Sequence, residues 1–220
     1  MRFFLCGILL LLGACESLPS VKLALEKEEQ KELANKKIYL VKEDVVEAHY
    51  FVSGKDMLNT LVDIGNTEEE SSKTEKLRPP SEIIERALVG DLKKKYAVTT
   101  KPETISFEGE EKPTDMVAWA KANGYENGIV LDVETMDWGI TPHPKSRTRY
   151  IVKVRALMNL YDLEAGTVLA RHVCMGNTSS LPLAEAPTKY KLLKDDSRLM
   201  KRYIYRQSKR CAELISEKVF

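Results

Sequence analysis

In two stretches, from Ile129 to Glu134 and from Tyr150 to Leu160, side chains alternate with a period of two, which constrains the fold more than any other feature. Ile129, Leu131 and Val133 interleave with Asp132 and Glu134. Tyr150, Val152, Val154, Ala156, Met158 and Leu160 interleave with Ile151, Lys153, Arg155 and Asn159. Successive side chains of a strand point to opposite faces, so this period marks strands buried on one side. Asp162-Leu-Glu-Ala-Gly166 reads as a turn, and Thr167–Met175 returns as a third strand, giving an antiparallel meander. With a loop at residues 139–146, the first two strands set Leu131 opposite Val154, Val133 opposite Val152 and Asp132 opposite Lys153. That register matches apolar faces and pairs opposite charges.

Upstream, Ile38–Val41 reads as a first strand, with Val45–Val52 continuing or pairing with it. Asp63–Pro80 is a polar loop. Ser81 suits an N-cap, and the helix after it spaces Ile84, Leu88 and Leu92 four apart, with Lys93–Lys95 complementing its C-terminal dipole. Tyr96–Thr99 reads as a short strand. Thr114 suits the cap of a second helix carrying Met116, Val117, Trp119 and Ala120, with Gly124 just past its end. A loop with Pro182 and Pro187 leads to a last helix from about Asp195, with Met200, Ile204, Cys211 and Ile215 on its apolar stripe. The predicted fold is α/β of the α+β kind: a mixed sheet with a C-terminal antiparallel meander, helices packed on it, and a C-terminal helix.

The amino terminus sets the expected location. Arg2 precedes an apolar run, Phe3 to Leu12, that ends in Gly13, Ala14 and Cys15. A basic start, an apolar core and small residues before a cut form a secretory signal, and the run is shorter than the roughly 20 residues a span needs. Leu12-Gly-Ala-Cys15 resembles the lipobox of bacterial lipoproteins. That resemblance implies a lipid on the Cys15 thiol and a cut before it; Glu16 after the cysteine favours the outer membrane under the enterobacterial sorting rule. The expected organisation is a signal peptide at 1–14, a charged tether at 15–37 and a single periplasmic domain at 38–220. The leader carries Arg2 and no acid, so 33 of the 34 Lys and Arg remain against 33 Asp and Glu, and the mature chain is neutral. A neutral chain exerts no long-range pull on nucleic acid or on anionic lipid, so partners are met through local patches. Of four cysteines, Cys6 leaves with the leader and Cys15 is spent on lipid. Cys174 and Cys211 remain in an oxidising compartment, where a disulfide between them is expected.

Ile129-Val-Leu-Asp-Val-Glu-Thr-Met-Asp-Trp-Gly139, then Tyr150-Ile-Val-Lys-Val-Arg-Ala156, then Leu160-Tyr-Asp-Leu-Glu-Ala-Gly-Thr-Val-Leu-Ala170 together resemble the transport-auxiliary lipoproteins of the bacterial envelope. Their fold is like that of the curli-secretion channel lipoprotein and of the amino-terminal domain of the translocation protein TolB. The resemblance implies an α/β fold, an envelope location and an accessory role in transport.

Motifs that carry chemistry are sparse. Ser53-Gly-Lys-Asp56 lacks the first glycine of a phosphate-binding loop and reads as a turn. His172 and Cys174 point the same way on a strand, but two ligands are too few for a structural zinc site. Asp132, Glu134 and Asp137 form an acidic run whose bland account is cross-strand ion pairing. Arg147, Arg149, Lys153 and Arg155 share one face of a strand and form a basic ridge, the candidate interaction surface. The inner pair is matched by Asp132 and Glu134, and the outer pair has no obvious partner. The expectation is a non-catalytic protein without cofactor or metal, held to the membrane through Cys15, serving as an accessory or assembly subunit of an envelope machine. Envelope proteins are its expected partners, and a homo-oligomer is compatible with that role. Two rivals stay open: a lipid- or glycolipid-binding module, and an envelope hydrolase with an unrecognised site.

Overall fold

The computed structural model of the chain describes residues 24–42, 49–50, 77–98, 102–107 and 112–220. The signal peptide at 1–14, Cys15, the Ser53–Asp56 turn, most of the strand expected at 45–52 and most of the loop at 63–80 lie outside them. Its elements are α1 (Lys27–Glu32), β1 (Ile38–Val41), β2 (His49–Tyr50), α2 (Pro80–Tyr96), β3 (Glu103–Ile105), α3 (Met116–Ala122), β4 (Ile129–His143), β5 (Ser146–Asp162), β6 (Thr167–Asn177) and α4 (Lys189–Val219). They form a mixed sheet in the order β3-β1-β4-β5-β6, with β2 beside β4. β1 runs parallel to β3 and β4, and β2 parallel to β4, while β4, β5 and β6 are antiparallel. The expected class therefore holds: a mixed sheet with an antiparallel C-terminal meander, helices packed on it and a C-terminal helix.

Strand alternation divides the core between the two faces of the sheet. Ile129, Leu131 and Val133 of β4, with Val152 to Leu160 of β5, pack under α2 and α4, where Ile84, Leu88, Leu92, Ile204 and Ile215 meet them. Val130, Tyr39, Ile105 and Tyr161 point the other way and pack against Met116 and Ala120 of α3. α3 is short, so it covers only β1, β3 and the adjoining Val130 of β4 and Tyr161 of β5.

The register differs from the expected one. Leu131 pairs with Leu160, Val133 with Met158 and Asp132 with Asn159, six residues further along β5 than predicted. The offset is even, so apolar faces still meet. Its cause is that β4 does not stop before residue 139. The strand runs to His143 and turns through Pro144 and Lys145, so residues 139–143 are strand, not loop. A register slip between Thr135 and Asp137 keeps the longer strand workable. The bulge reverses the faces beyond it, burying Trp138 and Ile140 in the helix-side core while Asp137 turns outward.

Local boundaries also move. The segment 15–37, expected as a tether, is packed onto the domain from residue 24 onward. Leu25 and Leu33 are buried in the main core, the Leu25 N–H donates to the Val219 carbonyl at 3.0 Å, and Lys36 pairs with buried Asp162 at 2.6 Å. Ser81 lies inside the first turn of α2, behind Pro79 as N-cap, and its N–H donates to Thr135 Oγ1. Tyr96 closes α2, its hydroxyl donating to the Phe220 carbonyl at 2.7 Å, so no strand begins there. Asp115, not Thr114, caps α3, accepting from the Ala118 N–H at 2.9 Å. α4 starts at Lys189 behind Thr188 as N-cap, and a break at Lys194–Ser197 separates a first turn from the long segment expected from Asp195.

Candidate interaction surface

β5 presents its odd-numbered residues on the face away from α2 and α4, and the pairing fixes their neighbours on both sides. Across β4, β5 and β6 the rows read Val130–Tyr161–Val168, Asp132–Asn159–Arg171, Glu134–Leu157–Val173, Asp137–Arg155–Met175 and Gly139–Lys153–Asn177. α3 packs on Val130 and Tyr161 of the first row and leaves Val168 exposed. Among the described residues no helix covers the remaining rows; Leu157 is half-buried there, while Val173 and Met175 are exposed. Val173 is 45% exposed and Met175 54%, with Val168 at 42% beside them. These three lie on β6, the edge strand of the sheet among the described residues.

Charge is graded across this face. The acids sit on β4 and the cations on β5 and β6, because the pairing sets Asp132, Glu134 and Asp137 on the inner strand. The second row is a continuous hydrogen-bonded chain. Lys112 donates to Asp132 Oδ1 at 2.8 Å and to Glu134 at 3.4 Å, Asn159 Nδ2 donates to Asp132 Oδ2 at 3.2 Å, and Arg171 Nε donates to Asn159 Oδ1 at 2.6 Å. The Asp132 side chain is only 1% exposed, so its charge is tolerated through these partners. Burial raises the pKa of the neighbouring Tyr161, with Asp132 adding to the effect and Lys112, then Arg171, opposing it.

The predicted basic ridge is regrouped by this geometry. Lys153 stands opposite Gly139 and not Asp132, and Asp132 and Glu134 are both paired from outside the strands by Lys112. Arg155 faces Asp137 as Cα partner and is exposed, whereas Lys153 is half-buried and partnered. Arg149 is not a free outer cation: its guanidinium donates to the Ala186 carbonyl at 2.9 Å and pins the loop after β6. Arg147 is exposed near the hairpin tip. Of the four ridge residues, Arg155 lies beside the exposed apolar side chains of β6.

Cys174 and Cys211 form a disulfide with Cα atoms 5.4 Å apart, tying β6 to α4. Cys174 is therefore no metal ligand. His172 lies on the helix side of β6, where burial, then nearby Lys218, lowers its pKa. No cluster of three or more His, Cys, Asp or Glu suited to a metal occurs among the described residues. Sequence reasoning missed Lys112, Asn159 and Arg171 as one network. Asn159 and Arg171 carry a signal, polar residues facing each other on paired strands, but Lys112 lies in an irregular stretch with no periodicity.

No protein-family model matches the chain, and no curated protein matches it significantly. Among solved structures, the hypothetical protein CT253 from Chlamydia trachomatis aligns with a TM-score of 0.38 and 12% identity, over 83% of this chain and 98% of that one. A PelC dodecamer from Paraburkholderia phytofirmans aligns with a TM-score of 0.31 and 11% identity, over 86% and 91%. Both scores lie below the level at which a shared fold is assigned.

Proposed function

We propose that this chain is a lipid-anchored, non-catalytic accessory or assembly subunit of an envelope transport or secretion machine, docking a protein partner on the open face of its sheet. The leader and Cys15 supply the location. The observation that carries the docking surface is the β6 edge, where exposed Val168, Val173 and Met175 sit beside the cations Arg155 and Arg171. An apolar, cationic edge suits an extended partner segment in which apolar and acidic side chains alternate, added as a further strand. Main-chain hydrogen bonds would supply affinity, and arginine forks would select carboxylates.

Site-specific photocrosslinking in cells tests this. A photoreactive residue at Val173 or Met175 is expected to capture the same envelope protein. One at Glu164, exposed in the β5–β6 turn, is expected to capture none. Equal capture from all three sites, or none from any, would reject the docking surface.

A further inference from the structure

α4 concentrates positive charge that the chain as a whole lacks. Residues 189–210 hold nine Lys and Arg against Asp195 and Asp196, in a chain of formal net charge +1. The long part of α4 turns Met200, Ile204, Ser208, Cys211 and Ile215 inward. A step of four residues advances a helix by only about 40°. Arg198, Arg202, Arg206 and Arg210 therefore run as one outward stripe, and all four are exposed. Arg198, Arg202 and Arg206 form no ion pair among the described residues; the pairs nearby are Lys201–Asp196 and Arg210–Glu213. Two tyrosines stand among these cations, Tyr190 73% and Tyr205 52% exposed. Beside Tyr205, Leu77, Ile83 and Ile204 floor a groove of about 370 Å³ rimmed by Arg78 and Lys201.

We infer that the outer face of α4 is a membrane-contact surface that rests on the anionic phospholipid headgroups of the bilayer. Cationic side chains meet the phosphates, and the amphipathic tyrosines suit the boundary between headgroup and acyl chain. The orientation rests on the lipid-anchor reading of Cys15. The Leu25 N–H bonds to the Val219 carbonyl, so the N-terminal segment enters the fold at the C-terminal end of α4. From Cys15 to Leu25 the chain has ten steps, a reach of at most about 35 Å. From Val219 back to Arg198 the helix measures about 32 Å. A lipid on Cys15 thus holds the whole arginine stripe within reach of the bilayer and raises its effective concentration there. α4 and the open face lie on opposite sides of the sheet, so this orientation leaves the partner-docking face turned away from the membrane.

The test uses the mature chain from residue 15 with Cys15→Ser, made without lipid; the described fold begins at residue 24 and is untouched. Co-flotation is measured with vesicles of phosphatidylcholine alone and with vesicles containing about one-third phosphatidylglycerol, at low and high salt. Binding is expected only to the anionic vesicles and only at low salt. Each surface cation contributes roughly fivefold, so Arg198→Gln/Arg202→Gln/Arg206→Gln is expected to lose on the order of a hundredfold. The matching Arg→Lys triple keeps the charge and is expected to keep binding, which separates electrostatics from misfolding. No flotation, equal flotation with neutral vesicles, or salt-insensitive binding would overturn the inference. Retention on heparin without vesicle binding would also overturn it, in favour of a soluble polyanion. Because this protein carries no lipid, none of these outcomes depends on whether Cys15 is acylated in cells.

Discussion

Replacing Cys174 and Cys211 together with serine is expected to lower stability by about 4 kcal/mol, the loop-closure entropy returned to the unfolded chain when a 37-residue link is opened. For a domain of this size that corresponds to roughly 10 °C in melting temperature. The bridge is placed to matter, because it is the covalent tie between the last strand of the sheet and α4. Packing next to it is tight: a Cβ added at Gly176 would stand 2.6 Å from the Gln207 carbonyl oxygen, so strand and helix meet backbone to backbone. Denaturant unfolding of the oxidised protein, the reduced protein and the double serine variant checks this. The last two are expected to coincide at the lower midpoint. Equal midpoints for all three would mean that the bridge constrains nothing.

Trp138→Ala is expected to cost about 3–5 kcal/mol, the range for emptying a large buried aromatic site. Trp138 is 1% exposed and belongs to the helix-side core. It lies there because of the bulge at Met136. Without that extra residue, strict alternation would turn Trp138 outward and drive Asp137 into the core. Trp138→Phe keeps most of the volume and is expected to cost far less. A stability loss below about 1 kcal/mol for Trp138→Ala would contradict this burial and the bulge with it.

What the sequence made legible follows from physics that is local in the chain. Period-two alternation over 129–133 and 150–160 named the strands and their buried faces, and four-residue spacing put Ile84, Leu88 and Leu92 on the core side of α2; all three are fully buried. The compartment and cysteine arithmetic pointed to the bridge that the structure contains. The register was not legible, because a bulge has no residue signature at Met136. Gly139, Pro142 and Pro144 also imitate a loop. Pro142 is accommodated because the Tyr150 N–H opposite it turns away, to the Pro187 carbonyl at 2.9 Å. That slip moved Lys153 away from Asp132 and so misassigned the partners along the basic ridge. Arg149 looked free because its acceptor is a backbone carbonyl at Ala186, which no side-chain pattern announces. The α4 stripe did carry a signal, arginine at every fourth position from Arg198 to Arg210, but a whole-chain charge near zero hides it.

The lipid anchor proposed at Cys15 would set both the compartment and the orientation of α4. The intact mass of the protein extracted from cell membranes tests it most directly. The expected species is a polypeptide that begins at Cys15, lacks residues 1–14 and carries a diacylglyceryl group with or without an N-acyl chain. A protein that retains Met1, or begins at or before Cys15 with an unmodified thiol, would contradict it.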